Sequence, residues 1–156
     1  LYAETDLVLA ESLRSGLLDR LDPAELAAVA SAFVHETRLK DPSTPTLPTP
    51  AVAEVLREVT GVWGAVVARE QGAGLVPTRP LDAGFVAIIW RWSTGADLDD
   101  ALGTTELTAG DFVRNVKQVA DVLRQIRDAS RGTALGDTAH AAARSVVRGV
   151  VAYTGL

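Results

Sequence analysis

The chain has no cysteine and only two histidines in 156 residues. Without cysteine there is no disulfide framework and no thiolate-bound metal, a usage that fits an intracellular protein. His35 and His140 are too far apart for HxxxH or HExxH metal spacing, so each reads as a structural or surface histidine. The phosphate-cradling GxxxxGK[ST] and the nucleophile turn GxSxG are both absent, and Gly72-Ala73-Gly74 is a loop fragment rather than a dinucleotide fingerprint. Asp99 and Asp100 are adjacent acids with no base or second carboxylate to work with. No apolar run approaches the roughly 20 residues of a membrane span. The opening LYAETDLVLAES has early acids and no basic segment, unlike a signal peptide. A start at Leu1 without Met is expected of a piece of something longer. These absences predict a cytoplasmic binding or accessory module without a catalytic site, metal or cofactor of its own.

Net positive charge is also lacking, since the chain carries −5. That average conceals a split. Residues 1–106 hold 8 Lys and Arg against 16 Asp and Glu, whereas residues 107–156 hold 7 against 4. A basic C-terminal third on an acidic body is compatible with a nucleic-acid surface, because a ligand feels the local field rather than the total.

At this length one domain with a real core is expected. The pattern predicts an all-α bundle of six to seven helices over residues 1–156. Residues 2–16 read as a first helix, with Gly16 as its exit. Asp22-Pro23-Ala24-Glu25 is a strong restart, with Asp as N-cap, Pro at the first helical position and Glu three after the cap. The Ala-rich run that follows, to Thr37, predicts close helix–helix approach. Residues 41–50 hold four of the seven prolines and read as a loop. Thr49-Pro50 opens a helix over 51–70, in which Gly61 and Gly64 predict a kink or close packing. Residues 84–93, GFVAIIWRWS, have strand-like content but sit among helices and read as a buried helix. There Trp90 and Trp92 are core candidates and Arg91 a paired or snorkelling side chain. A short acidic helix covers 97–102, and a last one covers 134–153. On the last, Arg144 and Arg148 form a basic pair that either extends a basic edge or pairs with the acidic body.

The stretch 107–131 has the strictest periodicity. Thr108 is an N-cap candidate, with Asp111 three residues on. Phe112, Val116, Val119, Leu123 and Ile126 fall within an arc of roughly 80° at 100° per residue, one stripe facing a core. Opposite lie Arg114, Gln118, Asp121 and Gln125, and between the faces runs a basic edge of Lys117, Arg124 and Arg131. Two readings are open. One is a solvated face laced by the i,i+4 pairs Lys117–Asp121 and Arg124–Asp128. The other is a ligand-facing helix whose Arg, Lys and Gln reach phosphates and base edges along one line.

Three stretches in order carry a resemblance. They are Glu4-Thr5-Asp6-Leu7 through Leu21-Asp22-Pro23-Ala24-Glu25 to Phe33-Val34-His35-Glu36; Trp90-Arg91-Trp92 with Gly95; and Gly110-Asp111-Phe112-Val113-Arg114 with Lys117-Gln118 and Asp121-Val122-Leu123-Arg124-Gln125-Ile126. Together they resemble the C-terminal helical domain, of DSHCT type, of Ski2-like DExH-box RNA helicases. That family includes eukaryotic exosome helicases and an actinobacterial branch, the latter nearer in flavour. The resemblance implies a domain that packs on two RecA-like motor domains and on winged-helix and ratchet domains, lining the exit of the single-strand channel. It places RNA contacts on Arg114, Lys117, Gln118 and Asp121, with Gly110 in the same motif, and Arg124 of the basic edge joins them as a candidate; many members have Arg where this chain has Gln118. ATP and Mg would belong to the parent helicase, and single-stranded RNA, or DNA, would be the partner, with no membrane. The alternative is a helical module that docks a protein partner on its polar helix face.

Overall fold

The computed structural model describes residues 6–34, 46–103 and 108–148. Among the described residues there are seven α-helices and no strand. They are α1 (Asp6–Arg14), α2 (Pro23–Ser31), α3 (Pro50–Gly72), α4 (Val86–Ser93), α5 (Leu98–Leu102), α6 (Ala109–Ala129) and α7 (Ala134–Val146), with a 3-10 turn, Ala83–Phe85, leading into α4. The expected all-α bundle is what forms. The expected ends at 2–5, 35–37 and 149–153, His35, Leu107 and the first half of the Pro-rich stretch lie outside the described residues.

The hub is α2. Every residue from Glu25 to Ser31 is buried, and α3, α4, α6 and α7 all pack around it. A helix surrounded in this way must be apolar on all sides. Ala27, Ala28 and Ala30 let the neighbouring helices come close, as the alanine run predicts, while Leu26 and Val29 fill the remaining volume. Burying each of the larger side chains contributes about 1.5–3 kcal/mol. The two buried serines satisfy themselves locally, Ser31 Oγ donating to Ala28 O and Ser12 Oγ to Val8 O.

Both N-terminal signals of the first half are made, and they interlock. Asp22 accepts from the Glu25 amide at 2.8 Å, and Glu25 accepts from the Asp22 amide at 3.1 Å. The second Glu25 oxygen accepts the hydroxyl of Thr49 at 2.6 Å, while Thr49 itself caps α3 by accepting from the Val52 amide. One carboxylate thus ties the starts of two helices together. At its other end the chain leaves α2 with bare carbonyls. These are met from the loop before α4, where Arg79 donates to Phe33 O and the Asp82 amide donates to Ala32 O. The same loop is pinned to α3 by Trp63 Nε1 donating to Thr78 O and by Glu70, which accepts from the Thr78 amide and hydroxyl.

α3 runs unbroken through Gly61 and Gly64, and a Cβ added at either would meet nothing within 4 Å. The close packing expected there does not occur. Its buried stripe is Val52, Val55, Leu56, Val59 and Val66, and the two glycines fall on the side away from that stripe.

Residues 84–93 are helical, as expected. Asp82 accepts from the Gly84 amide to start the turn, and Phe85, Ile89 and Trp92 go into the core. Phe112 of α6 sits between two of them, 5.9 Å from Phe85 and 5.1 Å edge-on to Trp92. This aromatic group fixes which face of α6 looks inward, and therefore which face looks out. Arg91 is the paired helix-end side chain expected of it, donating through Nε and Nη2 to Ala101 O at the end of α5.

Candidate nucleic-acid interface

α6 starts where Thr108 accepts from the Asp111 amide at 3.1 Å. The carboxylate of Asp111 does not complete a reciprocal box; it turns to Arg114 at 2.7 Å. All five residues of the predicted stripe, Phe112, Val116, Val119, Leu123 and Ile126, are buried, together with Ala120 and Val122. α7 packs along α6 after a short turn in which Gly132 takes φ +80.

The five candidate contact residues therefore share the outer side of one helix. Spacing of 1.5 Å per residue gives a strip about 15 Å long from Arg114 to Arg124. Arg114 is 65 % exposed and Asp121 55 %, whereas Arg124 is 38 % exposed. Lys117 and Gln118 are half-buried. The face is thus only partly solvated, and Gln125 Oε1 is buried without a hydrogen-bond donor among the described residues.

The pairing of Arg124 and Asp128 differs from the i,i+4 contact that the spacing suggests. Arg124 turns back to Asp121 at 3.5 Å, and Asp128 is taken by Arg131 and Arg127, each at 3.2 Å. Arg114 pairs with Asp111 in the same backward sense. Helical side chains lean toward the N-terminus, and acid before base also suits the helix dipole, so an Arg reaches the acid three residues behind it more readily than one ahead. Arg131 and then Arg127 hold the Asp128 carboxyl below its ordinary range. Such exposed pairs contribute little stability, because water and salt screen them. A competing anion can displace them at small cost.

The two basic residues of α7 separate. Arg148 does not extend the edge. It stacks over Trp92, 3.7 Å from the ring centroid, and donates to Trp92 O and Ala96 O. Burial there lowers its pKa, and Trp92 Nε1 in turn donates to Val146 O. Arg144 remains exposed and makes no ion pair with a described residue. It faces Arg124 and Arg127 across an open cavity of about 390 Å³ that His140 also lines. Sequence reasoning missed Arg127 and left His140 as a surface histidine. Spacing places Arg127 on the side of α6 nearer α7, but only the crossing of the two helices brings it to Arg144.

Among the described residues no group of three His, Cys, Asp or Glu could hold a metal ion, and no described helix is long and apolar enough to cross a membrane. The site offers guanidinium, ammonium and amide groups in a row. That arrangement suits binding of an extended anion.

Comparison with known proteins agrees in order and extent. Over 163 aligned residues the chain is 42 % identical to "Probable helicase HelY" of Mycobacterium tuberculosis (strain ATCC 25618 / H37Rv), covering 97 % of this chain and 18 % of that protein. The corresponding protein of Mycobacterium leprae (strain TN) is 40 % identical over the same shares. "mRNA transport homolog 4" of Caenorhabditis elegans is 26 % identical, over 86 % of this chain and 13 % of that protein. The chain thus spans less than a fifth of the length of these relatives. The DSHCT (NUC185) domain family matches residues 1–154, and the chain belongs to that family.

Proposed function

We propose that this chain is the RNA-contacting helical domain of an ATP-dependent Ski2-like helicase, acting in the cytoplasm. The outer strip of α6 lines the path by which single-stranded RNA, or DNA, leaves the motor. The observation that supports it best is that Arg114, Lys117, Gln118, Asp121 and Arg124 share one side of α6, facing away from the aromatic group that locks its other side. Arg114 and Arg124 reach phosphates, Lys117 adds a point charge, and Gln118 and Asp121 offer base-edge partners. ATP and Mg belong to the motor domains of the parent chain, to which this domain adds binding but no hydrolysis. Its partners there are the RecA-like, winged-helix and ratchet domains.

A protein-docking module is the second reading. Leu75 and Val76, in the loop between α3 and α4, are 61 % and 89 % exposed. That apolar tip suits a protein neighbour, and neighbouring domains of a longer chain would supply one.

The test is equilibrium binding of single-stranded oligouridylate at low and moderate salt, wild type against Arg114→Ala/Lys117→Ala. Weak, salt-sensitive binding that the double variant loses supports the channel reading. Absence of binding at low salt, or binding indifferent to the substitutions, favours the docking module.

A further inference from the structure

In a chain with net charge −5, the groove between α6 and α7 is lined by three arginines, one histidine and no acid: Arg124 and Arg127 from α6, His140 and Arg144 from α7, over a floor of Ala143 and Val147. Grouping like charges without an acid among them is unfavourable on its own, and it focuses a positive field into the concavity. Two of the three guanidiniums lean on acids outside the lining, Arg124 on Asp121 and Arg127 on Asp128. The third, Arg144, pairs with no described residue. The cavity, about 390 Å³, is within the range of small-molecule sites and has room for a phosphate with its attached sugar.

We propose that this groove is a phosphate-binding seat, with Arg144 as its principal ligand, Arg124 and Arg127 as flanking guanidinium forks and His140 as an added N–H donor. Phosphate is the fitting anion. It presents several acceptor oxygens to guanidiniums that line the groove from two helices, and each fork binds two oxygens in its plane. A lone carboxylate offers two oxygens in one plane and leaves one side of the groove unmet. Two sources can supply this chemistry, a phosphodiester of a nucleic-acid strand or a free phosphate anion. Only the nucleic-acid source rests on the reading of α6 given above. In that case Arg124, which belongs to both the strip and the groove, is where the strand passes from the outer face of α6 toward α7.

The test is a titration of the isotope-labelled chain, followed by backbone amide shifts, with inorganic pyrophosphate in one arm and oligouridylate in the other. Wild type is compared with Arg144→Ala and with Arg127→Ala/Arg144→Ala. Arg144 is exposed and pairs with no described residue, so its removal orphans none of them, and thermal melts confirm that the variants fold. Saturable shifts centred on residues 140–147 and 124–127 are expected, with affinity falling about tenfold for Arg144→Ala, the loss of one charged contact. If oligouridylate gives these shifts, its salt slope falls by about 0.7 per phosphate contact removed, and the strand is the source. If pyrophosphate alone gives them, the seat stands and a free phosphate is the source. Groove amides that respond to neither anion, or shifts unchanged in both variants, overturn the seat. The two proposals separate cleanly. Oligouridylate binding lost in Arg114→Ala/Lys117→Ala but untouched in the groove variants, with no groove shifts from pyrophosphate, removes the seat and leaves the channel reading. Pyrophosphate binding in the groove with no oligouridylate binding does the reverse.

Discussion

Arg148 is the residue whose role is clearest once contacts replace spacing. It reads in the sequence as half of a basic pair with Arg144, and its partners turn out to be 52 and 56 residues away, the carbonyls of Ala96 and Trp92. Replacing it by Ala removes a cation–π stack and takes the guanidinium from the Ala96 carbonyl, while Trp92 O keeps the Gly95 amide, a loss of about 1–3 kcal/mol that chemical denaturation should register. Arg148→Lys should recover only part of it, because an ammonium cannot span two carbonyls as a fork does. Asp128 gives a prediction in pH. Hydrogen bonds from Arg131 and Arg127 lower its pKa from 3.8. A carboxyl lowered on folding contributes stability in full above its unfolded value, and that contribution is lost as pH falls through the folded value. The C-terminal end of α6 should therefore loosen on acidification below about 3.8. Asp128→Asn should flatten that part of the acid profile, read as amide exchange over residues 126–130, with little change near neutral pH because the group is exposed. Neither contact network can be seen from sequence: the Arg148 partners lie at the end of α4 and in the turn after it, and Asp128 reads as a partner for Arg124 until a backward-leaning Arg131 and the adjacent Arg127 take it.

At the scale of elements, the helix starts were the most legible feature. Asp22 with Pro23 and Glu25, Thr49 with Pro50, and Thr108 all cap as their spacing predicts, because a cap is a local contact within four residues. The inward stripe of α6 was legible for the same reason: a one-sided helix writes its burial as a period. The hub was not legible. α2 is short and buried all round, so it has no polar side to set a period, and the longer, strongly amphipathic α6 looks like the organising element instead. The tight corner between α6 and α7 was hidden as well. A Cβ at Gly136 would lie 2.3 Å from Ser130 O and 3.0 Å from its carbonyl carbon. Those atoms are backbone and cannot swing aside. Gly136→Ala should accordingly cost about 1–3 kcal/mol, the usual scale of overpacking, although alanine is the better helix former. Because this corner sets how α6 lies along α7, the same substitution should also displace Arg144 relative to Arg124 and Arg127. A thermal melt reads the first effect, and His140 ring shifts read the second.

For the whole molecule, the division of charge matters more than its sum. The acidic first two-thirds supplies the hub and most of the core, and the basic last third supplies α6 and α7, whose outer surfaces gather the cations. Membership in the DSHCT family was legible from the ordered stretches around Asp22, Trp90 and Arg114, since these combine local caps with residues that hold the aromatic group and the strip. The groove of Arg124, Arg127, His140 and Arg144 was not, because it depends on how two helices cross. The proposed path takes a single strand along the outer side of α6. A photoreactive benzophenone side chain placed at Gln118 tests it most directly, with the same group at exposed Ala65 of α3 as control. On irradiation with oligouridylate at low salt, the account predicts a crosslink from position 118 that added salt suppresses, and background labelling from position 65. Equal labelling at both positions, or none at 118 under conditions where the chain binds the strand, would contradict it.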